Sequence, residues 1–224
     1  MTADVPQLAE ALAPLAPAAR LALIRARTPG RIVFTTSFGI EDQYLTHLIF
    51  EAGLAIDVVM LFTGRLFPET YTLWSETEQR YGKRIRAVYP EREALEALIE
   101  DQGIDGQFLS IAARKACCGV RKVEPLKRAL AGADLWITGL RASQSDNRST
   151  LSFVAVDTGF GLIKANPLLD WTRDLPILIV SLTRPELLDR RPTWGAGRRY
   201  FLSLALEPLP EPAILEKRDD IVAR

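Results

Sequence analysis

Between residues 31 and 139, short apolar runs alternate with longer segments of helical period, and this constrains the fold more than any other feature. Arg31 to Thr36 reads as a buried strand, Ser37-Phe38-Gly39 as the turn after it, and Glu41 to Glu51 as a helix with Leu45, Leu48 and Ile49 inward. Ile56 to Leu61 is a second strand, closed by Thr63-Gly64. A helix then starts at Pro68 and ends at Tyr81-Gly82, with proline in the favoured first turn and glycine at the end. Ile85 to Tyr89 and Leu135 to Gly139 are further strands, and Pro90 to Gln102 and Val123 to Leu130 further helices. Strands and helices of these lengths in alternation predict an α/β fold, a parallel sheet with helices on both faces. The first 29 residues form a helical segment broken by Pro14 and Pro17, whose Leu8, Leu12, Leu15 and Ala19 are spaced to cover a sheet edge.

In sheets of this kind ligands lie beyond the carboxyl ends of the strands. Three strands end there in loops of similar chemistry: Ser37-Phe38-Gly39, Thr63-Gly64-Arg65, and Thr138-Gly139-Leu140-Arg141 followed by Gln144 and Arg148. The first offers amides, a hydroxyl and the positive end of a helix, the parts of an anion cradle. Taken alone, Gly39 serves a tight turn, and Glu41 and Asp42 merely complement the helix dipole. Arginine is the residue suited to bidentate contact with phosphate or sulfate. Arg65, Arg141 and Arg148 at the strand ends point together to a dianionic or nucleotide ligand.

Charge excludes one large class. With 28 Lys and Arg against 28 Asp and Glu, the chain lacks the positive excess that duplex nucleic acid requires, so no nucleic-acid partner is expected. One histidine, His47, leaves little room for histidine-based metal sites or Ser-His-Asp catalysis. No stretch spans a bilayer and no secretory signal is present, so the expected compartment is the cytoplasm, with no membrane partner. The two cysteines are adjacent, Cys117-Cys118, among Arg114, Lys115, Arg121 and Lys122. They read either as small buried apolar residues or as thiolates favoured by the surrounding charge, able to hold metal or attack an electrophile. A disulfide across one peptide bond is strained, and an iron–sulfur cluster generally needs four thiolates.

Five stretches together resemble the assimilatory sulfonucleotide reductases, in particular the thioredoxin-dependent adenylylsulfate reductases. They are Thr36 to Asp42, Phe62 to Tyr71, Lys115 to Leu126, Ile137 to Arg141 with Gln144-Ser145, and Asn166-Pro167-Leu168 with Asp170-Trp171-Thr172. They run in family order over residues 30–173. The resemblance implies the adenine-nucleotide α-hydrolase (PP-loop) fold and adenylylsulfate as substrate, its phosphosulfate over Ser37–Gly39 and near Arg141 and Arg148. Phe38, Thr63, Gly64, Arg65, Gly139 and Gln144 complete the implied substrate-binding set. It also implies thioredoxin as electron donor, a homo-oligomer, and a [4Fe–4S] cluster whose first pair of ligands is Cys117-Cys118, with no flavin or nicotinamide. Reductases of phosphoadenylylsulfate usually lack the cluster pairs, so the pair favours adenylylsulfate. An ATP-using PP-loop enzyme fits less well, because its loop usually reads Ser-Gly-Gly-x-Asp-Ser.

The departure begins near Asp174. The family continues to a second cysteine pair and a terminal nucleophilic cysteine that attacks the sulfate sulfur. Residues 174–224 contain neither Cys nor His, hold six of the fourteen prolines, and show no sustained period. The expectation is three parts: helical residues 1–29, a sulfonucleotide-binding domain over 30–173, and an aberrant segment 174–224 read as a frameshift. A smaller departure is Phe62, where many relatives have Asp. The rival is a divergent paralogue that binds nucleotide without reducing it.

Overall fold

Apolar side chains alternate along each central strand, and the two sets build two cores. Ile32 and Phe34, Val58 and Met60, and Leu135 and Ile137 face one side of the sheet; Val33, Val59 and Trp136 face the other. The computed structural model describes residues 4–144 and 151–171. Among the described residues, six strands form one sheet in the order β3-β2-β1-β4-β6-β5: β1 Ile32–Thr36, β2 Asp57–Leu61, β3 Arg86–Val88, β4 Leu135–Ile137, β5 Val154–Asp157 and β6 Leu162–Ala165. All neighbours are parallel except β5 against β6, so the expected parallel sheet carries one antiparallel edge strand.

That edge hairpin was not foreseen in the sequence, although its signals are local. Asp157 accepts the amides of Gly159 and Phe160 through Oδ1, an Asx turn, and Gly161 closes it at φ +66°. The helices are α1 Val5–Leu12, α2 Pro17–Arg27, α3 Ile40–Glu51, α4 Pro68–Tyr81, α5 Arg92–Gln102, α6 Ile111–Cys118 and α7 Glu124–Leu130. Gly82 ends α4 in the left-handed region, as its position after Tyr81 suggested.

In the N-terminal segment Leu8 and Leu12 are buried as expected and α1 packs on the edge strand β5, but Ala19 is exposed. The inward face of α2 is instead Arg20, Leu21 and Ile24. Arg20 donates to the carbonyls of Leu12, Ala13 and Pro167, forms a two-pronged pair with Asp170 at 2.5 and 2.8 Å, and stacks on Phe153. One buried guanidinium therefore joins the helical segment to the chain leaving β6.

A second departure lies before β4. Cys117-Cys118 ends a helix, α6, and the chain continues through a π-helical turn, Gly119–Val123, directly into α7. Such turns widen a helix by one residue and recur at functional sites. Here the turn carries Arg121 to a buried position while Lys122 stays exposed.

Candidate functional site

The carboxyl ends of β1, β2 and β4 open on one cleft of about 750 Å³. Ser37 and Gly39 line it from the first loop, Thr63 and Arg65 from the second, and Gly139 and Gln144 from the third; Cys117 and Cys118 form another wall. The three loops that the sequence singled out thus converge on one cavity. Arg148 lies outside the described residues.

The first loop is held from inside. Asp42 Oδ2 accepts from both the amide (2.7 Å) and the hydroxyl (2.6 Å) of Ser37, and Phe38 N–H donates to Thr36 Oγ1. Burial pushes the Asp42 carboxyl above its ordinary range, while the two bonds from Ser37 act in the opposite direction. The donors remaining for an anion are the amides where α3 begins, which have no partner within the helix. Phe38 has φ +62°, an uncommon conformation for a residue with a side chain. Its ring is buried in the core beside Trp74, so Phe38 shapes the loop and does not line the cleft.

The third loop is locked against the first. A Cβ on Gly139 would stand 2.2 Å from Asp42 Oδ1, so only glycine allows this approach. Arg141, expected at the ligand, is turned elsewhere. Its Nε donates to Glu41 Oε1 at 2.9 Å, its Nη1 donates to Ser143 Oγ, and its guanidinium lies 5.8 Å from the Trp171 ring. Both partners of this ion pair are buried, and Arg141 does not line the cleft. Trp171 in turn stacks on Tyr44. The Asp170-Trp171 and Asn166 positions of the family motif are therefore struts: Asn166 Oδ1 accepts from Thr138 Oγ1 at 2.6 Å and its Nδ2 donates to Ser152 O.

In the second loop, Gly64 has φ +70°, and Arg65 lines the cleft while paired with Asp105. Gly64 is not on the cleft surface; it lies close to Arg121, whose Nη1 donates to Thr63 O at 2.6 Å. Arg121 was read only as part of a basic run around the cysteines, yet it is 5% exposed and its Nε has no hydrogen-bond partner. Lys122, Gln107, Trp136 and Lys164 also line the cleft and were not foreseen there. Lys164 Nζ sits 4.4 Å from the centre of the Trp136 ring, which the parallel register of β4 and β6 places beside it. His47 does not line the cleft; its Nδ1 is hydrogen-bonded with Tyr81 Oη.

The cysteines do not fit a [4Fe–4S] cluster in this chain. Such a cluster takes four thiolates, and the chain contains two cysteines in all. Among the described residues, no three His, Cys, Asp or Glu side chains come together to hold a metal. No helix among the described residues is long and apolar enough to cross a membrane.

A mostly parallel sheet with a cleft of glycine, hydroxyl and arginine groups at its strand ends is the arrangement of an α/β ligand-binding domain. Residues 31–175 match the model of the phosphoadenosine phosphosulfate reductase domain, and the chain belongs to that family. It is 50% identical over 208 residues, 93% of this chain and 80% of the relative, to the adenosine 5'-phosphosulfate reductase of Sinorhizobium fredii strain USDA 257. To the adenosine 5'-phosphosulfate reductase of Rhizobium meliloti it is 53% identical over 154 residues, 69% of this chain and 58% of the relative. Among solved structures, the phosphoadenylyl-sulfate reductase of Candida auris, a phosphate complex, superposes with a TM-score of 0.64. It shares 26% identity and covers 75% of this chain and 80% of its own.

Proposed function

We propose that residues 30–173 bind adenylylsulfate and that the chain belongs to the reduction of this substrate to sulfite and AMP, with thioredoxin as donor, in the cytoplasm and as a homo-oligomer. The observation that carries this reading is the convergence of the three strand-end loops on one cleft, in a chain half identical to relatives named for this substrate. In this reading the phosphosulfate lies on the amides at the start of α3 and against Thr63, Arg65 and Gln144; Arg148, outside the described residues, is proposed as a substrate contact from the sequence motif alone. Ser37 lines the cleft with its amide and hydroxyl held by Asp42, while Phe38 and Arg141 act behind that surface: Phe38 through the core, Arg141 through Glu41 and Trp171. Phosphoadenylylsulfate is the alternative substrate, supported by the name of the Candida auris structure.

Reduction requires a thiol to attack sulfur, and residues 174–224 supply none. A second reading follows: binding without reduction. The 208-residue match to the Sinorhizobium fredii relative extends past residue 174 wherever it begins, which supports a divergent terminus over a change of frame. Resequencing together with intact-protein mass separates the two. Calorimetric titration with adenylylsulfate and AMP, paired with a sulfite assay in the presence of reduced thioredoxin, tests the function. Binding of adenylylsulfate is expected in either reading; sulfite release belongs to the first alone, and absence of binding overturns both.

A further inference from the structure

Large apolar side chains gather on the surface where α5 passes into α6. Ile104 is 56% exposed, and Phe108, Leu109 and Ile111 are 77–79% exposed. A run of this kind marks an interaction site, whereas single exposed apolar residues need no explanation. We propose that this turn is the centre of a two-fold interface between two copies of the chain, with α5 of one copy set against α6 of the other.

The turn is held from within the chain, so its apolar side chains are presented ready-made. Gly103 ends α5 at φ +73°, a conformation open to glycine. A Cβ on Gly106 would stand 2.4 Å from Gln102 Cβ, so glycine lets the 3₁₀ turn Gly106–Phe108 close against the helix before it. Ser110 then caps α6, its Oγ accepting from the Ala113 amide at 3.0 Å. Asp105 pairs with Arg65 of the second loop, and Gln107 lines the cleft. The interface therefore borders the ligand site.

Charge names the occupant. Residues 91–105 hold six acids against the single base Arg92, and residues 106–122 hold four bases and no acid. Glu100 and Asp101 before the turn, and Arg114 and Lys115 after it, are exposed and form no ion pair among the described residues. An apolar centre with an acidic flank on one side along the chain and a basic flank on the other is complementary to itself. An isologous contact requires this, since each flank meets the opposite flank of the partner. The composition is also that of an interface, an aromatic and aliphatic centre within a charged rim. The acids of α5 oppose an anionic membrane or partner, and the bases of α6 oppose a cationic one. The proposal deepens the homo-oligomer of the proposed function by naming its face.

Sedimentation velocity on the full-length, reduced chain at micromolar concentrations is expected to show a monomer–dimer equilibrium. F108A/L109A, which removes the centre, weakens the dimer at least about tenfold. E100K/D101K and R114E/K115E each weaken it about 100-fold or more, because like charges then face one another. Mixed in equal amounts, these two charge variants recover the dimer. The reversed α5 of one meets the reversed α6 of the other, and the unaltered flanks still match. Native mass spectrometry identifies the product as the mixed species, and circular dichroism melts confirm that each variant is folded. A parent that stays monomeric overturns the interface and the homo-oligomer together. A dimeric parent whose dimer survives F108A/L109A or either charge reversal, or does not recover on mixing, overturns this face alone. Adenylylsulfate binding is measured separately and bears on neither.

Discussion

At the scale of single residues, sequence chemistry located the cleft but not the partners inside it. Ser37, Thr63, Arg65, Gly139 and Gln144 were legible because each follows a strand, where an α/β sheet exposes its ligands. Arg141 stands off the cleft lining for a physical reason. A guanidinium is read from sequence as a ligand for anions, but Glu41 stands on the first turn of α3 and neutralises it at 2.9 Å. Arg121 was hidden in the opposite way, since a run of basic residues normally denotes a solvated face, and only the π-helical turn carries it inward. Gly139 offers the sharpest test at this scale. A methyl group there would meet Asp42 Oδ1 at 2.2 Å and push away the carboxylate that orders Ser37. G139A is expected to retain its fold while adenylylsulfate affinity falls at least about tenfold, on the order of 1.4 kcal/mol, by calorimetry. Unchanged affinity would show that the first and third loops act separately.

At the scale of elements, alternation of apolar strands and amphipathic helices made β1 to β4 and most helices legible, and the β5–β6 hairpin was not. Its strands are short and half exposed: Ala155 and Val156 face solvent, so the period that marks a buried strand is absent. What secures this hairpin is distant in sequence. Arg20 on α2 reaches the Pro167 carbonyl and Asp170 just after β6, and lies over Phe153 before β5. Because Arg20 is 3% exposed and bonded to three carbonyls, R20M is expected to cost about 3 kcal/mol or more in chemical denaturation. The partner carboxylate gives a pH signature. Hydrogen bonds from Arg20 hold the Asp170 carboxyl below its ordinary value of 3.8. Its contribution is thus full above 3.8 and is lost as pH falls through the lowered folded value. D170N should therefore be less stable than the parent at neutral pH, and the difference should shrink in acid below that window. A difference independent of pH would mean that Asp170 contributes by packing alone.

At the scale of the whole molecule, the cysteine count and the cleft give opposing accounts of activity. Residues 31–175 match a reductase family, and their loops form one cavity; the thiols that a reductase needs are two, adjacent, and both on α6. Helix geometry keeps that pair from closing on itself, so neither thiol can release a sulfur adduct from the other. The cleft and the reducing groups are thereby separable in this chain, and a graft can test the separation. A chimera carrying residues 1–172 of this chain, followed by the terminal residues of the Sinorhizobium fredii relative, replaces only what the cleft lacks. If the cleft is competent, the chimera should release sulfite from adenylylsulfate about six orders of magnitude faster than the parent, the scale on which loss of an attacking group acts. Affinity for AMP should match the parent, because the strand-end loops are unchanged. A chimera that folds and binds adenylylsulfate yet releases no sulfite would place the defect in the cleft itself. The first position to examine would then be Phe62, whose ring packs against Tyr71 and Tyr89 beside the second loop.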